Sequence, residues 1–137
     1  MAAPHFLTPL LKGQASDFFL GIDGSSAVLA STLEPAFDSK TRNRGLLGRD
    51  ALADGHALII APSNSVHTFK MRFAIDLIYA ARNGRIVKIR AAVPKSRISL
   101  ALGAFAVIEM AAGSAEQAGL SVGDFLVVRK HRASTTP

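Results

Sequence analysis

Seven side chains in this sequence have types suited to binding or catalysis: Arg44, Arg49, His67, Thr68, Met71, Asp76 and Glu109. An imidazole such as His67 can serve as a base or a ligand. Asp76 stands inside the apolar run Phe73-Ala74-Ile75-Asp76-Leu77-Ile78-Tyr79, where a carboxylate is costly to bury unless it is paired. Glu109 stands in the same way between Ile108 and Met110. If the two acids converge beside His67, they form an acid–base or metal-binding set. The blander expectation for Asp76 is a salt bridge to Arg44 or Arg72, or a hydrogen-bonded loop anchor. For Glu109 it is an outward position on a half-exposed strand, and for His67 an ordinary loop hydrogen bond. Arg44, beside Gly45 at an expected helix end, suits an anionic ligand or the last carbonyls of its own helix. Met71 and Phe73 read as core or as the lip of a pocket. His5, His56 and His131 belong to no pattern.

The chain has no cysteine, which excludes disulfides and thiolate metal sites. No spacing gathers three or four metal ligands, so neither a metal nor a cofactor is expected. A Gly-x-Ser-x-Gly elbow, a Walker loop, a dinucleotide Gly-x-Gly-x-x-Gly and a His-Glu-x-x-His pair are all absent. These absences weigh against the large enzyme classes, although small enzymes exist without such signatures.

The elements that must position these residues follow from periodicity and turn chemistry. A first strand is expected over Ala27–Thr32, and a short helix from Pro35 to Gly48, with Phe37, Thr41, Arg44 and Leu47 at helical spacing. Ala57–Ala61 reads as a buried strand ended by Pro62. Two apolar runs joined by Asn83-Gly84 predict a hairpin with a type I′ turn, positive φ at both central residues. In its second strand Lys88 and Arg90 share one face and Val87 and Ile89 the other. Ala104–Met110 is a further strand. Residues 113 to 119 form a small helix that Ser114 caps, Gln117 reaches back to and Gly119 closes. A last strand covers Phe125–Val128. Consecutive strands are joined mostly by turns, which predicts a mainly β or α+β fold: a small antiparallel sandwich or partly closed barrel with two short helices.

A chain of 137 residues suits one core. Hydrophobic residues make up 49% and charged residues 19%, which excludes a disordered chain. Trp is absent and Tyr occurs once, which excludes a large aromatic recognition platform. No apolar stretch is long enough to span a bilayer. Residues 1 to 14 lack the basic start and unbroken apolar run of a secretory signal, so a cytoplasmic location is expected. Residues 1–24 read as an N-terminal arm and the start of the domain, 25–131 as a single domain, and 132–137 as a tail. The net charge is +6, and between Leu77 and Ile108 there are six basic residues and no acid. That run (Arg82, Arg85, Lys88, Arg90, Lys95 and Arg97) suits nucleic acid, anionic lipid or an acidic ligand. With no interleaved aromatics it is first a solvated face, and nucleic acid is disfavoured.

Three stretches together resemble the bacterial domain of unknown function 192 family. They are Arg44-Gly45-Leu46-Leu47-Gly48-Arg49, then Val66 to Tyr79 with Asn83-Gly84-Arg85-Ile86-Val87, and finally Val107-Ile108-Glu109-Met110-Ala111-Ala112-Gly113 leading to Gly119-Leu120 and Val122-Gly123-Asp124. The resemblance covers about residues 27 to 130 and includes His67-Thr68 and Met71. Ala74 stands where the family commonly has Pro. The resemblance implies a β-rich fold with small helices and supplies no reaction. The last stretch also looks like part of a PDZ domain, but Gly45-Leu46-Leu47-Gly48 is a poor peptide-binding loop because it ends a helix.

Three functions are compatible with these residues. The leading one is a non-enzymatic binding module, for a small polar ligand or a protein segment, built from His67, Thr68, Met71, Asp76 and Arg44. The second is a small hydrolase- or isomerase-like enzyme using His67 with Asp76 or Glu109. The third is nucleic-acid binding through the basic 85–97 face. The oligomeric state is not legible.

Overall fold

A computed structural model describes residues 4–132. The expected tail at 132–137 therefore lies almost wholly outside the described residues. The centre of the molecule is a five-stranded sheet. Its three inner strands, β4 (His56–Ile60), β6 (Ile75–Ala80) and β9 (Ala106–Ala111), are apolar at both parities because both sheet faces are covered. The outer strands are β3 (Thr32–Ala36) and β7 (Ile86–Val93), and the order is β3-β4-β9-β6-β7.

One face packs on Leu20, Leu29, Leu126 and Val128. These come from a three-stranded antiparallel sheet of β10 (Leu126–Lys130), β1 (Phe18–Ile22) and β2 (Val28–Ala30). Leu7 and Leu10, from and just before helix α1 (Thr8–Lys12), complete that cluster. The opposite face carries Leu58, Ile60, Ile75, Leu77, Tyr79 and Val107. Leu46 and Leu52, which follow helix α2 (Ser39–Arg44), pack on it. The two-stranded pair β5 (Ser65–His67) and β8 (Ile98–Leu100) flanks this second face, with Val66 packed against the cluster. Helix α3 (Ser114–Gln117) follows β9.

The mainly β fold with small helices is as expected, and the details differ in ways that have physical causes. There are three short helices rather than two, and no closed barrel among the described residues. The loose N-terminal arm is instead core, since Leu7 is fully buried. Its Pro9 sits in the first turn of α1, where a missing N–H is harmless. Pro35 lies inside β3, which tolerates it as an edge strand, and the helix begins four residues later at Ser39. Asp38 caps that helix by accepting the Thr41 N–H at 2.8 Å, and this bond holds its carboxyl below the ordinary range. Because α2 crosses between β3 and β4, those two strands are parallel rather than antiparallel.

At the Asn83-Gly84 turn only Gly84 has positive φ, at 89°. Its N–H bonds the Ala81 carbonyl, so a three-residue loop with a bulge replaces the type I′ turn. Register slips along β7 also break the simple wet and dry faces: Ile86 and Ile89 both reach the first cluster. In α3, Ser114 does not cap; its hydroxyl donates to the Ala111 carbonyl at 2.6 Å. Gly119 does close the helix, with Leu120 N–H on Ala115 O and Gly119 N–H on Glu116 O.

Candidate functional site

Directly paired residues of neighbouring strands share a face of the sheet. Register therefore sets one row across the second face: Glu34, Leu58, Glu109, Leu77 and Arg90. Glu109 is the middle of the row. Above it lies the C-terminal end of α2, where Gly45 turns the chain with φ +48°. A Cβ placed on Gly45 would lie 3.8 Å from Glu109 Oε1, so the helix end sits over the carboxyl.

Between α2 and the β5 strand is a cavity of about 360 Å³. Its apolar lining comes from Leu46, Leu47, Ile60, Val66 and Met71. Its polar lining comes from Arg42, Asn43, Arg44, Ser63, Ser65, His67 and Glu109. That size and mixture are those of a small-molecule pocket.

Glu109 is only 5% exposed, and among the described residues nothing hydrogen-bonds its carboxyl. Burial pushes its pKa up to about 7, against the weaker pull of the Arg49 guanidinium. Arg49 itself is committed to Glu34, Nη1 to Oε2 at 2.8 Å. At neutral pH Glu109 can therefore hold or release a proton, or accept a donor from a ligand.

The other expected residues divide clearly. Arg44, His67, Met71 and Glu109 line the one cavity. The His67 ring stacks on Phe69 with centroids 5.3 Å apart. Thr68 is buried and structural: Oγ1 donates to the Pro94 carbonyl at 2.7 Å and accepts the Arg97 N–H at 2.9 Å. It fixes the turn that precedes β6, which forms without a Pro at 74. Arg49 lies outside this cavity and lines a separate hollow with Glu34 and Leu58.

Asp76 does not join them. It pairs with Met110 on the first face, whereas Glu109 pairs with Leu77 on the second. The expected meeting of Asp76 with Glu109 and His67 is therefore excluded by strand parity. Nor does Asp76 bond Arg44 or Arg72; Arg72 is held by Asp50 at 2.7 Å. Instead its Oδ1 accepts the Ala92 N–H at 2.8 Å, where β7 bulges with positive φ, and its Oδ2 accepts the Ala115 N–H at 2.9 Å. One buried carboxylate thus pins a bulge and supplies the N-terminal acceptor of α3. Glu109 is the reverse of the expected outward side chain, because α2 and its following turn cover that face.

Sequence reasoning passed over Arg42, Asn43, Leu46, Ser63 and Ser65 as cavity residues. The Pro62-Ser63-Asn64-Ser65 segment is rich in turn residues, but its place opposite the end of α2 depends on pairings distant in sequence. Among the described residues no three of His, Cys, Asp or Glu gather for a metal, and no helix is long and apolar enough to cross a membrane.

This geometry defines a class: a small mixed-sheet domain with a partly apolar cavity and one unpartnered acid. The chain belongs to the DUF192 family, described as "Uncharacterized ACR", whose model matches residues 21–128. Two crystal structures share the fold. One is a protein of unknown function from Novosphingobium aromaticivorans DSM 12444, with TM-score 0.71, 23% identity, and coverage of 79% of this chain and 82% of that one. The other, from Sinorhizobium meliloti 1021, is provisionally described as a transcription regulator, with TM-score 0.70, 23% identity, and coverage of 80% and 89%. No curated protein matches this chain significantly.

Proposed function

We propose that this chain is a binding module, not an enzyme, whose ligand is a small polar molecule seated between α2 and β5. The observation that carries the reading is the buried Glu109 carboxyl, which faces a cavity and lacks a hydrogen-bond partner among the described residues. A buried polar group of that kind is stabilised by any ligand that supplies the missing bond. A fitting ligand carries an N–H or O–H donor for Glu109. It also carries an acceptor or acidic group for Arg44 and His67, on an aliphatic body that lies against Leu46, Val66 and Met71.

The test is a panel of amino acids and small amino- and hydroxycarboxylic acids, followed by thermal shift and by backbone amide NMR. Supporting hits raise the melting temperature and move the amides of Gly45, Leu46 and His67, and they lose affinity in Glu109→Ala. Hits that move only amides outside the cavity, or a panel with no hits, count against the proposal.

A second reading has one observation in its favour. A carboxyl with its pKa near 7, in the same cavity as His67, is suited to general acid–base work. Turnover of an ester or an isomerisable acid, abolished in both Glu109→Gln and His67→Gln, would select a hydrolase- or isomerase-like enzyme instead.

A further inference from the structure

The β5–β8 pair is a separate two-stranded sheet whose alternate positions are exposed. Ile98 and Leu100 are two of these positions, at 66% and 53% exposed, and Leu102 in the following turn is 86% exposed. Register places His67 directly opposite Ile98, and Phe69, itself 44% exposed, stacks on that imidazole. Four large apolar side chains are therefore exposed along this pair and the segments that flank it. Single exposed apolar residues need no explanation, but a cluster of this kind marks an interaction surface.

The charge around the cluster says what the surface meets. Lys70 adjoins Phe69, Arg97 adjoins Ile98 and Lys95 precedes it by three residues; all three are exposed. Between Asp54 and Glu109 the sequence has one acid, Asp76, and it is fully buried under two backbone N–H groups. This part of the chain thus presents aliphatic side chains and cations with no exposed carboxylate from its own segment. Aliphatic residues that enter the acyl boundary, flanked by Lys and Arg at headgroup level, are the chemistry of an interfacial membrane contact. A nucleic-acid backbone would engage the cations and leave Ile98, Leu100 and Leu102 in water.

We infer that the β5–β8 pair docks on the surface of an anionic lipid bilayer. Ile98, Leu100 and Leu102 enter the interface, and Lys70, Lys95 and Arg97 contact the headgroups. The contact is peripheral: its aliphatic residues and cations lie outside the lining of the Glu109 cavity, while His67 borders both.

Co-sedimentation of the full chain with vesicles tests it, using phosphatidylcholine alone and phosphatidylcholine mixed with phosphatidylserine, at low and high salt. Sedimentation with the mixed vesicles only, weakened by salt, is expected. Each cation contributes about fivefold in affinity near such a surface, so Lys95→Gln with Arg97→Gln weakens binding about 25-fold. Leu100→Ser with Leu102→Ser weakens it about tenfold or more. All four positions are exposed or at the rim, so both double variants melt where the parent chain does. Failure to sediment at low salt overturns the inference. So does vesicle binding that ignores the leucine pair, or duplex DNA binding that needs only the cations.

Discussion

Replacing Glu109 by Gln keeps the shape of the side chain and removes its titration. The folded chain holds the Glu109 proton up to about pH 7, while an unfolded glutamate releases it near 4.5. Below the lower value both states are protonated and the burial costs nothing by linkage. Between the two values the folded state binds more protons, so stability falls as pH rises, and above about 7 the full penalty is present. At about 1.4 kcal/mol per pH unit, the penalty is about 3 kcal/mol. A glutamine has no such component. The stability of Glu109→Gln minus that of the parent should therefore grow by about 3 kcal/mol from about pH 4 to about pH 8. Urea unfolding at steps across that range measures it. A carboxyl-carbon NMR titration of the parent should give a midpoint near 7, moved higher in Arg49→Gln because the attracting guanidinium is gone. Parallel stability curves, or a difference that shrinks with pH, would refute the claim that the carboxyl is buried without a partner.

Three further outcomes follow from single contacts. Asp76→Asn keeps at most one of the two acceptors for Ala92 and Ala115 and should cost about 3 kcal/mol in urea unfolding; a loss near zero would contradict the clamp. Thr68→Val strands the Pro94 carbonyl and the Arg97 N–H and should cost about 1–3 kcal/mol, with faster hydrogen exchange at the Arg97 amide. Gly84→Ala places a Cβ against the Leu126 carbonyl at a φ of +89°, and should lower the melting temperature more than an alanine at the open Gly103.

Local chemistry explains how much of this was legible. The Asn83-Gly84 connection and Gly119 are breakers and turn residues whose conformational demands hold wherever the segment lies. Their neighbourhoods were placed correctly even where the turn type or the capping residue was not. Ser114 was misread because its cap is filled by Asp76, thirty-eight positions earlier, which no local window contains. The same limit hid β1 and the role of α1. Phe18–Ile22 carries Gly21, a weak strand residue, and it is a strand because β10, at the other end of the sequence, pairs with it. Pro35 favoured a helix start on local grounds, and its edge position in the sheet overrode that preference.

The two acids in apolar strands make the same point for the site. Asp76 and Glu109 are equivalent in sequence: one carboxylate each, flanked by aliphatic residues. In the fold their environments are opposite. Asp76 is surrounded by amides that need acceptors, and both of its oxygens are used. Glu109 lies on the other face under the end of α2, where the described residues offer no hydrogen-bond donor and leave a cavity. A leucine at 109 would suit the Leu58 and Leu77 neighbours and remove a penalty of about 3 kcal/mol at neutral pH. Asp76 is explained by the architecture it completes. Glu109 lowers the stability of the architecture it stands in, a cost that fits the proposed ligand in the cavity above it.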